Sequence, residues 1–447
     1  MNHDMTVGKP GKVLLGFSLP MILSGIFQQI YNIADSMIVG NYCGVDALAA
    51  VGASYPVTML FIAVGMGSSM GGSVIIARFF GAKKYEQMKT AVTTLVLSIL
   101  ALGAILMTAS LIFCRPILSA INTPENVFAD SAVYLRIYIY GILFMLLYNI
   151  CNSVFNGLGD SKTPLMFLIF SSVLNIILDI FFVRNLNMGV AGVAWATFIA
   201  QGLASMLSAA ALFFRIKKLG IQTRTAIFST DAFAQMAKIA VPSILQQATI
   251  SVGQVFIQAL VNSFGSDVVA GYSAAIKLDT FFKMIVINLG SANSSFCSQN
   301  LGAKAYRRIQ QGKNAAVAAM GIYGLAAFTV CLIWGRNLIE MFIDDPSNMT
   351  VVNTGVTYMR CVSCCYIVFG VMMVYQSILR GVGHMAAFTV TTLGDLAARV
   401  GCAYFLADAI GQPAIWWSVP IGWGVAFVTS VPYYYLKVKK TFVEEKV

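Results

Sequence analysis

The stretch LLGFSLPMILSGIFQQIYNIADSMIV, residues 14–39, decides the fold class of this chain. It is longer than the roughly 20 apolar residues that a helix needs to cross a bilayer, yet it contains one carboxylate, Asp35. An ionisable group at membrane depth is costly and by default indicates function. Gln28, Asn32 and Asp35 are spaced i, i+4, i+7 and therefore share one helical face. The spacing predicts a helix that turns a polar face toward a bundle interior or a water-filled path.

The composition of the whole chain is that of an integral membrane protein. Of its 447 residues, 58% are hydrophobic and 11% are charged, and the mean hydropathy is +0.78, whereas soluble domains carry roughly 25% charged residues. We expect an all-α polytopic protein with twelve transmembrane helices. The predicted spans are 14–39, 48–77, 91–114, 130–155, 164–184, 190–214, 238–262, 270–298, 314–335, 352–379, 386–407 and 413–436.

The net charge of +11 could suggest a nucleic-acid partner, but its distribution indicates a membrane topology instead. Of the 29 Lys and Arg residues, 21 fall at the two termini and in the loops that follow even-numbered spans, and three fall in the opposite loops. Positive residues accumulate on the cytoplasmic side of membrane proteins. The sequence therefore predicts two cytoplasmic termini and no nucleic-acid partner.

The chain contains two copies of one six-span unit. Matching segments recur in the same order in each half: Pro20 with Pro242, Gly81-Ala82-Lys83 with Gly302-Ala303-Lys304, Tyr134 with Tyr358, and Asn156-Gly157-Leu158-Gly159 with Arg380-Gly381-Val382-Gly383. Six spans per copy give the copies the same orientation, which is typical of parallel repeats in transporters that work by alternating access. The prediction is an N-lobe at 1–214, a cytoplasmic linker at 215–237 and a C-lobe at 238–447.

The chain resembles the multidrug and toxic compound extrusion (MATE) family over nearly its whole length. The resemblance rests on these motifs: Leu19-Pro20 followed by Asp35, the two Gly-Ala-Lys loops, Asn156-Gly157-Leu158-Gly159-Asp160, Leu174-Asn175-Ile176-Ile177-Leu178-Asp179, and Gly189-Val190-Ala191-Gly192 followed by Ala196-Thr197 and Gln201. It implies export of small organic molecules by antiport against H+ or Na+. We accordingly expect a multi-pass monomer of the bacterial cytoplasmic (inner) membrane, with no cofactor and no enzymatic activity.

Three spans of the first half carry polar side chains at one depth. The fifth has Asn175 and Asp179, and the sixth has Thr197 and Gln201, each pair at i, i+4. At about 1.5 Å per residue, Asp35, Asp179 and Thr197 share a layer in the outer half of the membrane. The MATE resemblance implies that Asp35, Asn175, Asp179 and Thr197 form a cation-coupling site. It also implies that the first helix bends near Pro20.

Desolvation suggests how such a site could work. A carboxyl group in a low dielectric favours its neutral form, and two close carboxyl groups titrate as a pair that can share one proton. The same oxygens could hold Na+, and the sequence does not choose between the two ions. A purely structural role, in which these groups hydrogen-bond across helices as packing contacts, stays open. We expect no other metal site.

The second half shows a different polar pattern. Its seventh span carries Gln247, Ser251, Gln254 and Gln258 on one face, which suits either a neutral cavity wall or interhelical hydrogen bonds. Together with Gln28, Asn32, Gln201 and Asp279, the three glutamines are candidates for the cavity or the substrate site.

Charged residues in the second half are placed to pair within helices. Asp279 and Lys283 are spaced i, i+4, as are Asp395 and Arg399. Intrahelical ion pairs are the favoured interpretation, and substrate or gating contact is the alternative for Asp279.

Other classes fit less well. A lipid-linked saccharide or lipid flippase of the related superfamily would need more cationic groups in its cavity, whereas the first lobe here is acidic and favours cationic amphiphiles. A major facilitator would carry a different loop after the second span, and an intramembrane enzyme would need a nucleophile or metal set that the sequence lacks. Cys361, Cys364 and Cys365 resemble a metal half-site without a second half.

Overall fold

The computed structural model describes residues 4–43, 45–121, 123–220, 225–343 and 347–444, and all regular secondary structure in them is helical. Long apolar runs form helices here because a helix satisfies every backbone polar group within its own segment. The first half contains α1 (Pro10–Ile38), α2 (Val45–Gly81), α3 (Tyr85–Ala120), α4 (Glu125–Tyr140), α5 (Ile142–Gly157), α6 (Lys162–Ile180) and α7 (Gly189–Lys217).

The second half follows the same order. It contains α8 (Thr230–Asn262), α9 (Ser266–Gly302), α10 (Tyr306–Glu340), α11 (Met349–Ser363), α12 (Tyr366–Val382), α13 (Met385–Ile410), α14 (Pro413–Tyr433) and the short α15 (Lys439–Glu444). Each predicted span falls in one long helix, with the π-helical turn that continues it, or in one bent pair, so the described residues contain the twelve helical spans expected of this fold.

Two spans are bent at the same position of the repeat. α4 and α5 meet at Gly141 with a bend of 46°, and α11 and α12 meet at Cys364 and Cys365 with a bend of 51°. The Gly-Ala-Lys loops also match, since Lys83 and Lys304 both adopt a positive φ, 57° and 55°. These local features confirm that the halves are copies of one unit.

Two spans lack an uninterrupted apolar stretch of the kind that the others contain. Eight described helices are long and apolar enough to span a membrane alone, and the two bent pairs also pass when each is taken together. The remaining spans, α9 and α13, carry Asp279 with Lys283 and Asp395 with Arg399, respectively. The charged pairs lower the hydropathy of both helices, and in α9 the Asn, Ser and Gln side chains from Asn288 to Asn300 lower it further.

The chain divides into two compact units whose boundaries differ from the predicted lobes. Of the described residues, unit 1 comprises Asp4 and those between 23 and 244, and unit 2 comprises 5–22 and those between 245 and 444. The divisions therefore fall inside α1, two residues after Pro20, and inside α8, two residues after the matching Pro242. Neither division falls in the polar segment 215–237. Within that segment, residues 221–224 lie outside the described part of the chain. Residues 215–217 belong to α7 and residues 230–237 belong to α8, so part of the predicted linker is helical. Sequence polarity could not reveal that the parts of α1 and α8 before and after each proline pack in different units.

The segment before α1 is anchored in unit 2. Met5 is fully buried, its N–H donates to Gln299 Oε1 (3.0 Å), and its carbonyl accepts from Asn300 Nδ2 and Arg308, both at 3.2 Å. Arg308 also donates to the carbonyl of Gly8 (2.7 Å) and to Asn300 Oδ1 (2.9 Å). A single guanidinium thus fixes the chain immediately before its first transmembrane helix.

Candidate functional site

The centre of the site is a pair of carboxyl groups in unit 1. Asp35 lies one turn before the end of α1 and Asp179 lies at the end of α6, and their side chains are within hydrogen-bonding distance of each other. Asp179 is fully buried and Asp35 is half-buried. Among the described residues, neither Oδ1 atom has a hydrogen-bond partner. Two ionised carboxylates in this arrangement would repel each other, so the pair needs a proton or a cation between them.

Neutral groups surround the pair. With its amide turned so that both ends are satisfied, Asn175 donates to Asp179 Oδ2 (2.9 Å) and to the Tyr31 hydroxyl (3.0 Å) and accepts from the backbone N–H of Thr197 (3.1 Å). The same amide lies 3.3 Å from Thr197 Oγ1. The structure thus brings together all four residues that the resemblance assigned to a cation site, although it does not test that role.

A small cavity of about 50 Å³ opens beside these groups. Water-sized cavities need about 10–15 Å³ by this measure, so the space suits a few waters or a small ion. Gln28 and Gln201, two of the cavity candidates, line it with Tyr31, Asn175 and Thr197; Tyr148, Leu168, Ser171, Ser172 and Ala200 complete the wall. The described residues contain no cluster of three or more His, Cys, Asp or Glu that could hold a metal.

A buried apolar cluster lies about one helical turn beyond the two carboxyl groups along α1 and α6. α1 and α6 each continue into a π-helical turn, Val39–Cys43 and Phe181–Asn185. Val39 and Val183 of these turns pack with Ala47, Ala50, Val127, Val190 and Val193, and Tyr134 packs against the cluster. The π-helical turns are a feature that sequence reasoning missed, and such turns are frequent at functional sites.

Tyrosines were also missed. Tyr31 precedes Asp35 by one helical turn, and Tyr134 is close to both Asp35 and Asp179 and stacks on Tyr138 at 6.2 Å between ring centroids. The i, i+4 spacing of Tyr31 and Asp35 was a signal that could have identified the first of them. Tyr134 stood out in the sequence only as the repeat match of Tyr358, and no spacing links it to Asp35 or Asp179, because it comes from a different helix.

Two further candidates, Asn32 and Pro20, lie on α1. Asn32 is exposed and bonds within its own helix, accepting from Gln28 (3.2 Å) and donating to Gln29 (3.2 Å). Pro20 is buried inside α1, which is continuous through it. The hinge role of Pro20 stays a prediction.

The Asp279 carboxylate has three polar partners in unit 2. It is fully buried, accepts from the hydroxyls of Tyr358 (3.0 Å) and Tyr366 (2.8 Å), and pairs with Lys283. The expected intrahelical ion pair is therefore present. The alternative of substrate contact by Asp279 is not tested.

Asp395 and Arg399 also pair, at 3.4 Å. Gly422 of α14 packs directly on them, because a Cβ at this position would collide with the Asp395 carboxylate and lie 2.8 Å from its backbone carbonyl. The polar stripe of α8 is less enclosed: Gln254 is exposed, Ser251 donates to the Gln247 carbonyl (3.1 Å), and Gln258 donates to Asn262 (2.8 Å). These contacts leave its cavity role a prediction.

A known family matches this chain twice, once in each copy of the repeat. The MatE family profile matches residues 20–181 and 242–405, once in each half. The chain is 29% identical over 430 residues to the "Probable multidrug resistance protein YpnP" of Bacillus subtilis, covering 96% of this chain and 94% of the relative. It is 23% identical to the "FAD transporter" of Shewanella oneidensis, covering 85% and 84%. A crystal structure of MATE in complex with MaL6 superposes with a TM-score of 0.92 at 22% identity, covering 98% of both chains.

Proposed function

Because this chain belongs to the MATE family of multidrug transporters, we propose that it exports organic compounds by antiport against H+ or Na+. The observation that carries the proposal is the contact between the half-buried Asp35 and the fully buried Asp179, each with one carboxyl oxygen that has no partner among the described residues. A site of this kind is stable only when a proton or small cation occupies it. Its occupancy can therefore be linked to the conformation of α1, which supplies Asp35.

Either ion is compatible with the chemistry of the pair. A proton shared between the carboxyl groups removes their repulsion. Alternatively, the two aspartates with the oxygens of Asn175 and Thr197 provide the hard ligands that Na+ requires. Asn175, Thr197 and Tyr31 then serve to hold the carboxyl groups in place, and Pro20 provides the bend through which occupancy acts on the rest of α1.

The substrates we propose are organic cations. Unit 1 offers uncompensated carboxyl groups and neutral amides, which attract positive charge. In unit 2 the cations Lys283 and Arg399 are paired with Asp279 and Asp395, so the unpaired cationic groups expected of a flippase are not provided by these residues. The relatives are named for multidrug resistance and for FAD transport. These names belong to those proteins, and they suggest which compounds to include in a test of substrates.

The proposed setting is the bacterial cytoplasmic membrane with both termini in the cytoplasm, as the distribution of Lys and Arg supports. We further propose that the protein acts as a monomer without a cofactor.

Reconstitution in vesicles with imposed gradients tests the function. Purified protein in proteoliposomes is given a fluorescent organic cation and either a proton gradient or a sodium gradient, each without the other. We expect one gradient to drive substrate movement and the substrate, in turn, to drive flux of the same ion. If neither gradient moves any of a panel of cationic dyes, the antiport proposal is wrong.

A further inference from the structure

One face of α5 carries a row of polar side chains that the coupling site does not use. Tyr148, Asn152 and Asn156 are spaced four residues apart and so follow one another along the helix. The side-chain carbonyl oxygens of Asn152 and Asn156 are buried and, among the described residues, have no hydrogen-bond partner, and the Tyr148 hydroxyl is buried within hydrogen-bonding reach of the Asn152 side chain. Buried polar atoms without protein partners are normally satisfied by ordered water.

The row begins at the coupling site. Tyr148 lines the same small cavity as Tyr31, Asn175 and Thr197. From Tyr148 to Asn156 the helix advances about 12 Å, and α5 ends one residue later at Gly157. The following loop carries Lys162, on the side that the distribution of basic residues assigns to the cytoplasm. The row thus runs from the cavity to the cytoplasmic end of unit 1.

In the other direction along α1 and α6 the side chains are apolar. Val39 and Val183 of the apolar cluster lie beyond the two aspartates and are almost fully buried. A cation leaving the pair in this conformation meets an apolar wall on one side and the polar atoms of α5 on the other. Water-mediated contacts are the least costly environment for a small cation inside a protein.

The repeat supplies an internal comparison. The offset of 224 residues that aligns Tyr134 with Tyr358 places Met372, Gln376 and Arg380 of α12 opposite the row of α5. Gln376 donates to Thr391 (3.4 Å), and Arg380 is buried, donates to Ser294 (3.4 Å) and lies over the Phe388 ring. In unit 2 the matching positions are therefore an apolar side chain, a bonded amide and a fixed positive charge, which would repel a cation.

From these observations, we infer that Tyr148, Asn152 and Asn156 line a hydrated path by which the coupling cation passes between the Asp35–Asp179 pair and the cytoplasm. The inference rests on the proposed antiport function and adds to it a route that only unit 1 provides. The residues act by holding water, so side chains of similar size without polar atoms will interrupt the path.

Silver ion tests the path directly, because Ag+ is a small monovalent cation that reacts with thiols. Asn152→Cys, Asn156→Cys and, as a matched control, Val154→Cys (0% exposed) are reconstituted as full chains and exposed to Ag+ in nitrate buffer. Thiols that remain free are then alkylated under denaturing conditions and quantified site by site. The native Cys151, 1% exposed on the same helix, is an internal control in each sample.

We expect the introduced thiols at 152 and 156 to be protected by Ag+ about tenfold faster than Cys151 and the thiol at 154, since only the former face water. Protection at the rate of the buried controls would overturn the path. This readout needs no transport, so it gives an answer even if the proposed antiport fails.

Transport provides a second arm. Asn152→Leu and Asn156→Leu should each lower gradient-driven export to about one tenth of wild type, equivalent to one factor of ten in rate, while the dye affinity in detergent changes less than about twofold. Gln376→Leu, at the matching position of unit 2, should retain export. Variants are compared only if they elute as the wild type does in size-exclusion chromatography. Export at the wild-type rate by both α5 variants would contradict the inference.

Discussion

Val39 packs with Val183 in one buried cluster, and each follows a carboxylate of the pair by four residues, Asp35 in the first case and Asp179 in the second. Both valines lie in π-helical turns that extend the helices carrying those aspartates. The two helices therefore bring their carboxyl groups together, and each helix places a valine of a π-helical turn next to them in the same apolar cluster. Because the covering contact is one turn away, loosening it should open the site without altering its ligands.

Val183→Ala tests this cover. Removing two buried methyl groups should cost about 1–2.5 kcal/mol of stability through lost burial and an incompletely filled cavity. We expect a lower unfolding temperature together with faster ion entry into proteoliposomes without substrate. Val173→Ala is the matched control, because Val173 on α6 is 52% exposed. Equal ion leak in the two variants would show that the cluster does not close the site.

Asp35→Asn and Asp179→Asn test the coupling role. Each substitution retains size and hydrogen bonding but removes one charge, so the pair no longer requires a proton or cation. We expect gradient-driven export to fall about 10- to 100-fold, within the usual range of coupling free energies, in the dye assay with imposed gradients. The control is Asp130→Asn, because Asp130 is exposed in the first half of α4. Undiminished export by either site variant would count against coupling through this pair.

Gly422→Ala tests the close approach of α14 to the Asp395–Arg399 pair. The new methyl group would overlap the Asp395 carboxylate and the backbone oxygen of Asp395. The backbone oxygen can move away only if the helix itself shifts. Overpacking of this kind costs about 1–3 kcal/mol, and we expect it as a lower unfolding temperature in detergent. Gly424→Ala lies on the same helix with open space around its Cβ and should leave the unfolding temperature near that of wild type. Equal melting of the two variants would mean that α14 has room to shift.

Arg308→Ala tests the anchor of the N-terminal segment. Arg308 bonds two backbone carbonyls and Asn300, and each charge-assisted bond contributes about 1.5–3 kcal/mol at most. We expect faster hydrogen exchange in residues 5–9 and increased cleavage there by added protease. Arg307→Ala is the control, because Arg307 is exposed and adjacent. Unchanged hydrogen exchange in the Arg308 variant would mean that the burial of Met5, and not the bonds of Arg308, holds the N-terminal segment in place.

Much of the architecture followed from the sequence alone. Hydropathy predicted the twelve spans because a bilayer admits only long apolar helices, and the recurrence of Gly-Ala-Lys predicted loops that the structure shows with matching positive φ at Lys83 and Lys304. The i, i+4 spacing of Asn175 and Asp179 placed both on one face of α6. Only helical geometry was needed for these steps.

The unit boundaries were not predictable in the same way. Polarity marks where a chain meets water, so residues 215–237 were identified as a linker. The division inside α1 and α8 depends on which neighbours each half of a helix packs against. No local pattern encodes that information.

The sequence by itself determined that carboxylates would lie at membrane depth in α1 and α6 and that charged partners one turn apart, as in Asp279 and Lys283, would pair. The resemblance to the MATE family already implied that Asp35 and Asp179 share a site. The tertiary structure alone decided that Tyr31 and Tyr134 join them and that a π-helical turn follows each of the two aspartates. The physical reason is the range of the interactions: spacing along a helix fixes the face of a side chain, whereas the partner across the helix interface is selected by packing of the whole unit.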